Sequence, residues 1–240
     1  MEHLLTQSFL TALLFGSVTA GVPLLLAGLG EQVSEKAGVL NIGIEGMMLF
    51  GAYTGFCATY YSNSFFLGFV GGGLGGMAVA LFVVLFCIRF GLNQIVIGIA
   101  LTIGAEGLTA LLQYFQFSRE HPTLPASPVL SIPGLSDIPV IGPGLFAHDA
   151  VVYLAVILVW VLAWMFRSTY IGINLEAAGS KPAALDAAGV SVVKTRACAV
   201  LSTGFLAGIG GAYMANVGAG IFVPFMTGGA AEMALTVRTQ

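Results

Sequence analysis

Charge is scarce in this chain of 240 residues: Lys, Arg, Asp and Glu together make up 8% of it, against roughly 25% in a soluble globular domain. That shortage excludes an ordinary water-soluble fold, because too few charges exist to keep a surface hydrated. With 58% hydrophobic residues and a mean hydropathy of +0.97, the solvent for most of the chain is lipid. No basic stripe is present and the net charge is −3, so a nucleic-acid partner is excluded. Histidine is rare: His3, His121 and His148 fall outside the expected spans and no HExxH pair occurs, which argues against a membrane protease and leaves no catalytic or metal-ligating set. Cysteine is rare too, and Cys57, Cys87 and Cys198 show no CxxC spacing, so they read as small core hydrophobes. Gly189–Thr195 (GVSVVKT) carries Val193 where a phosphate-cradling loop needs glycine, so this chain is expected to bind neither ATP nor another cofactor. The segment Met1–Leu5 has Glu2 and no Lys or Arg, unlike a signal peptide, and the first apolar stretch is expected to be retained.

Apolar stretches long enough to span a bilayer are plentiful. Charge-free runs cover His3–Gly30, Gly46–Ile88, Ala150–Phe166 and Ala197–Ala231. The second divides at the polar and aromatic cluster Tyr60–Ser64, and Leu92–Phe115 adds a span interrupted by Glu106. The expected fold is therefore all-α, a polytopic transmembrane helical bundle of about six spans forming a single domain over 1–240. Ser118–Asp149 holds six of the nine prolines and only one Lys or Arg, Arg119; it reads as an extracytoplasmic loop without regular helix. Arg167–Arg196 holds four of the eight basic residues and reads as a cytoplasmic loop by the positive-inside rule.

Glu31–Glu45 has two readings. A solvated cytoplasmic turn there forces the N-terminus outside; an unwound or re-entrant piece within the bilayer lets the N-terminus lie inside. Asn41 and Glu45 are four residues apart, and Gly38, Gly43 and Gly46 make a break easy. A broken helix exposes the backbone groups from which transporters build solute sites. Gly68, Gly72 and Gly76, Gly71 and Gly75, and Gly204, Gly208 and Ala212 recur every four residues, forming stripes on which helices of one chain pack closely.

Glu106 lies near the middle of an apolar span, where an ionisable group either lines a transport path or is satisfied by Thr102, Thr109 or a neighbouring helix. Asn93 and Gln94 open the same span, Asn93 as a pathway residue or cap and Gln94 as a cap. In Leu175–Gly189, Ser180 is placed to cap a short helix, Pro182 to occupy its first turn and Gly189 to end it. A small alanine-rich helix of this kind suits a groove on a soluble partner; the alternative is an amphipathic turn on the membrane surface.

Two of these motifs carry a resemblance. EQVSEKAGVLNIGIEGMMLFGAY (Glu31–Tyr53) resembles the characteristic segment of permease subunits of nucleoside-type ABC importers, within a wider group that includes ribose and branched-chain amino-acid permeases. GINLEAAGSKPAALDAAGVSVVKTRACAVLSTGFLAGIGGAY (Gly172–Tyr213) is similar to their cytoplasmic coupling loop and following helix, and LNQIVIGIALTIGAEGLT (Leu92–Thr109) fits between. The resemblance implies a multi-pass subunit of a bacterial inner (plasma) membrane importing a nucleoside. Its implied partners are a second permease subunit, an ABC ATPase subunit that uses ATP, and an extracytoplasmic substrate-binding lipoprotein. It also implies that Asn41, Gly43, Glu45 and Gly46 lie by the translocation path; Asn93 and Glu106 are further candidates from their own place in the apolar span and not from the resemblance. The coupling loop is then Glu176, Ala177, Gly179, Pro182, Asp186 and Gly189. Thr102 stands where members often carry asparagine, and Glu106 is foreign to the pattern. After FVPFMTGG (Phe222–Gly229) the family continues through further spans, whereas this chain continues AAEMALTVRTQ, so a C-terminally truncated domain is expected. The alternatives are a sugar or branched-chain amino-acid ABC permease, a proton-coupled carrier using Glu106, and a chain that assembles without transporting.

Overall fold

The computed structural model of the chain describes residues 7–118, 122–131 and 141–228. In order, its helices are α1 (Gln7–Lys36), α2 (Ile44–Ser62), α3 (Phe65–Val83), α4 (Gln94–Phe117), α5 (Ile141–Leu145), α6 (Ala150–Ser168), α7 (Tyr170–Ser180), α8 (Pro182–Ala187) and α9 (Val192–Tyr213). The helices α3 and α9 continue into π-helical turns, Val84–Arg89 and Met214–Ala219. Two short strands, β1 (Leu130–Ser131) and β2 (Ala147–His148), pair antiparallel with Leu130 opposite His148.

Five helices are long and apolar enough to cross a membrane: α1, α3, α4, α6 and α9. The expected sixth span, α2, has 19 residues but is not among them. Its Glu45, tyrosines, threonines and Ser62 lower its hydropathy, and its place in the bundle is compatible with that. It packs on α3, α9 and α4, so most of its surface meets protein rather than lipid. The glycine stripes form these contacts. A Cβ at Gly72 would lie 2.5 Å from Ala212 Cβ and 3.0 Å from the Gly51 carbonyl oxygen, and one at Gly208 would strike the Gly72 carbonyl. With no hydrophobic drive between helices in lipid, such close backbone approach is a main source of cohesion. The bundle is further tied by Thr203, whose hydroxyl donates to the Gly30 carbonyl at 2.7 Å, and by Asn216, whose amide donates to the Thr59 hydroxyl at 2.9 Å.

The first helix does not stop at Gly30. It runs on through Glu31, Glu35 and Lys36 and ends in a Schellman motif, with Gly38 at φ +80° and the Val39 N–H returning to the Ser34 carbonyl at 3.1 Å. Of the two readings of 31–45, the structure keeps the unwound piece but confines it to 37–43. Glu31 is helical and 2% exposed, and Glu45 belongs to the first turn of α2.

Because α1 crosses once, its two ends lie at opposite ends of the bundle. Gly38 packs on Gly179 of α7, whereas Phe15 stacks on His148 at 4.5 Å and Leu14 meets Gly144. The N-terminal end of α1 thus shares the end that carries α5. Among the described residues, Lys36, Arg89, Arg167, Lys181, Lys194 and Arg196 all fall at the α7–α8 end, called here the basic end.

Other expectations are corrected. The loop 118–149 is not wholly irregular, since it contains α5, β1 and β2. Its Arg119, His121 and residues 132–140 lie outside the described residues, as do His3 and the 229–240 run. His148 lies outside the spans but is fully buried, its Nε2 2.9 Å from the Gly144 carbonyl. Cys87 is buried, but Cys57 is half-buried and Cys198 exposed, because Cys198 falls on the face of α9 turned away from the bundle.

Candidate functional site

A chain break between two helices leaves backbone groups without intrahelical partners, and those that are buried need partners from the protein. Between α1 and α2 they come from three helices. The N–H groups of Ala37, Gly38 and Val39 return to the last carbonyls of α1. The Leu40 N–H donates to Gln94 Oε1 of α4 at 2.9 Å, and the Asn41 N–H to Glu31 Oε1 at 3.0 Å. The Ser34 hydroxyl donates to the Val39 carbonyl at 2.8 Å, and Arg196 Nε of α9 to the Ala37 carbonyl at 3.1 Å. The break is thereby held as a defined shape.

The same break faces α4 and α7. A Cβ at Gly98 of α4 would lie 2.9 Å from the Gly43 nitrogen, and one at Gly46 would lie 3.0 Å from Thr102 Cα and 3.3 Å from Ala105 Cβ. Asn41 is 1% exposed; its Nδ2 reaches Met47 Sδ at 3.4 Å, while its Oδ1 is buried without a hydrogen-bond partner among the described residues. On the other side, a Cβ at Gly38 would lie 2.9 Å from Gly179 Cα, and one at Gly179 would strike the Lys36 carbonyl. Lys36 Nζ stands 3.9 Å from Glu176 Oε2 and 5.3 Å from the centre of the Phe166 ring. Both ion-pair partners are well exposed, at 40% and 68%, so this pair is worth only about 0–1 kcal/mol.

The candidate residues therefore do not form one cluster. Gly43 and Gly46 pack against α4, Asn41 lies beside Gly43, and Glu45 is half-buried in the first turn of α2. Asn93 is exposed and acts as the N-cap of α4, its Oδ1 accepting from the Ile95 N–H at 2.9 Å and the Val96 N–H at 3.4 Å. Glu106 is half-buried on α4. Thr109 does not serve its carboxylate, since the Thr109 hydroxyl donates to the backbone carbonyls of Ala105 and Glu106. Three clefts, of about 710, 760 and 470 Å³, have none of these residues in their walls; they lie toward the opposite end, beside Phe15, Pro143 and Asp149.

The coupling-loop residues also divide. Glu176 and Gly179 of α7 are turned toward the break, with Ala177 half-buried beside them. Pro182 opens α8, and Gly189, at φ +81°, ends it as the Val190 N–H returns to the Leu185 carbonyl at 3.1 Å. Asp186 Oδ1 accepts from the Val192 N–H at 3.4 Å, joining α8 to the start of α9. Ser180 is not the cap of α8: Lys181 holds that position, and the Ser180 hydroxyl turns back to the Glu176 carbonyl at 2.7 Å. Leu185 anchors α8, buried with Ala178 and Val192, while Ala183, Ala184, Ala187 and Ala188 are exposed.

Sequence reasoning missed the groups that hold the break. Gln94 read as a cap, Glu31 as a solvated charge in one of two readings, and Arg196 as a topology signal. No spacing links Arg196 to Ala37, 159 residues away.

Comparison with known proteins agrees with this architecture. Residues 13–236 match a family model described as the permease component of a branched-chain amino acid transport system. The chain is 37% identical over 235 residues to a Haloferax volcanii protein named as a glucose ABC transporter permease, covering 96% of this chain and 70% of that protein. It is 32% identical over 208 residues to a guanosine ABC transporter permease protein of Bacillus subtilis (81% and 64%) and 30% identical over 209 residues to a nucleoside ABC transporter permease protein of Lactococcus lactis (83% and 66%). The chain thus spans about two thirds of the length of these relatives. No solved structure matches it. A polytopic helical bundle, a broken segment packed on a basic-end loop and a match over most of the sequence lead to one conclusion: the chain belongs to the family of ABC transporter permeases, multi-pass membrane subunits for transport rather than enzymes.

Proposed function

We propose that this chain forms part of the translocation path of an ATP-driven nucleoside importer in a bacterial plasma (inner) membrane. The observation that carries the reading is the joining of its two motifs: the break 37–43 and helix α7 are backbone to backbone at Gly38 and Gly179. An ABC ATPase subunit binds the exposed alanine face of α8, and ATP is consumed there, with no cofactor held by this chain. A second permease subunit completes the pore, and an extracytoplasmic substrate-binding lipoprotein delivers cargo at the end opposite α8. Alternating access follows when ATP binding favours one arrangement of the bundle over another. In this reading Asn41, Gly43, Glu45, Gly46 and Glu106 lie beside the path, and Asn93 supports it by capping α4.

Nucleoside cargo is supported by the VLNIGIEG motif and by the two relatives named for guanosine and nucleoside. A sugar is the second reading, supported by the relative named for glucose at 37% identity. The ATP-driven relatives favour an importer over a proton-coupled carrier.

Two measurements test this. The intact chain should co-purify with its ATPase subunit, and Asp186→Arg and Gly189→Trp should abolish the association; equal recovery of all three overturns the role of α8. Reconstituted vesicles should accumulate labelled guanosine in an ATP-dependent manner and not labelled glucose; the reverse preference establishes the sugar reading.

A further inference from the structure

Arg196 occupies an unusual place. It lies just past the first turn of α9, near the positive end of that helix, where its own helix offers the cation no advantage. Its hydrogen bonds go elsewhere. Nε donates to the Ala37 carbonyl at 3.1 Å and Nη2 to the Ala178 carbonyl at 2.9 Å. These carbonyls belong to the C-terminal ends of α1 and α7, which close at Lys36 and Ser180. Helix C-termini carry carbonyls without intrahelical donors and a partial negative charge, so one guanidinium satisfies two helix ends that meet head to head. The planar fork suits this task because its donors diverge in fixed directions, which a lysine ammonium on a flexible stem does not reproduce.

The second part of the arrangement is the glycine contact. Gly38, at φ +80°, and Gly179 let the two backbones touch, and the Lys36–Glu176 pair lies at the same junction. Among the described residues α8 packs mainly on α7, with a smaller contact to the start of α9. Displacement of α8 therefore reaches the break between α1 and α2 through α7 and through Arg196 on α9.

We infer that Arg196 and the Gly38–Gly179 contact lock the unwound segment 37–43 to α7 as one joint, so that motion of the α7–α8 loop is delivered to the break. Arg196 is a positioning residue: it touches no cargo and acts through the two carbonyls. The source of the motion rests on the importer reading above, but the existence of the joint does not.

The experiment separates the two. The full chain and its Arg196→Gln, Arg196→Lys and Gly179→Ala variants are purified in nanodiscs, and amide hydrogen exchange is followed in peptides covering 34–44 and 174–182. In Arg196→Gln both peptides should exchange about tenfold faster together, as expected for loss of charge-assisted bonds, while α3 peptides stay unchanged. Exchange that is unaltered, or altered in one segment alone, overturns the joint. If Arg196→Gln yields no folded chain, Arg196→Lys and Gly179→Ala are read in the same way. The complexes reconstituted with the ATPase subunit are then compared by guanosine moved per ATP hydrolysed. The joint predicts a fall of about fivefold or more in that ratio for Arg196→Gln with ATPase activity retained, a size typical of coupling between sites. A purely structural role lowers the amount of complex and leaves the ratio untouched, and that result overturns the coupling role. A wild-type chain that shows the coupled exchange yet neither binds the ATPase subunit nor moves guanosine rejects the importer reading and leaves the joint standing.

Discussion

Helices α3 and α6 are equally apolar, with a mean hydropathy of 2.2 over their most apolar 18 residues, yet 39% of those residues are buried in α3 and 17% in α6. Helix α9 is less apolar than either, at 1.5, and is 56% buried. In water the most apolar segment goes inside; here apolarity does not set the order, since α1 and α4, at 2.0, are only 17% buried. Lipid is as good a solvent for leucine as another helix is, so apolarity alone draws no helix inward. Side-chain size does. Between Gly68 and Gly76, α3 carries six glycines and lets α2 and α9 approach its backbone, while α6 presents Leu154, Ile157, Trp160 and Trp164 outward.

The contrast can be broken from either side. The largest effect is expected from Gly208→Leu, which drives a side chain into the Gly72 carbonyl and the α3 backbone; a cost of about 3 kcal/mol or more should abolish the monodisperse peak of the detergent-solubilised chain. Recovery of a normal peak would show the glycine seam to be loose. Next is Gln94→Leu, which leaves the Leu40 N–H of the break without its acceptor. Because Leu40 is 42% exposed and water can take the place of the lost acceptor, thermal unfolding should reveal a loss of only about 0.5–1.5 kcal/mol, and an unchanged midpoint would mean that this bond does not hold the break. Asn93→Ala removes the α4 cap and should cost about 1 kcal/mol in the same assay, with Asn93→Asp retaining most of the stability. The smallest effect is reserved for the outward face: Trp160→Leu and Ile103→Val, at side chains 75% and 63% exposed, should change stability by about 0.5 kcal/mol or less. A larger change there would mark a protein contact on a face assigned to lipid.

Much of this architecture was legible beforehand. Span positions follow from the length of apolar runs, the turn at Asn63 from its polar cluster, and the ends of α8 from Pro182 and Gly189, because these features act locally along the chain. The glycine stripes likewise announced close packing, though not that α2, α3 and α9 would share one seam. The candidate path was less legible. Asn41 and Glu45 read as one helix face, but the break ends at Gly43 and separates them. Ser180 read as a cap and instead bonds to the Glu176 carbonyl, since α7 runs through it before Pro182 stops the helix.

The sequence by itself determined that the chain lives in lipid, roughly where it crosses, and which end gathers the cations, because hydropathy and charge distribution are sums over local stretches. Only the tertiary structure decided that Glu31 is buried, that Gln94 and Arg196 hold the break, and that Gly38 lies against Gly179. Those facts depend on backbone groups left unsatisfied at a helix end, and which distant side chain reaches them is fixed by how the helices pack.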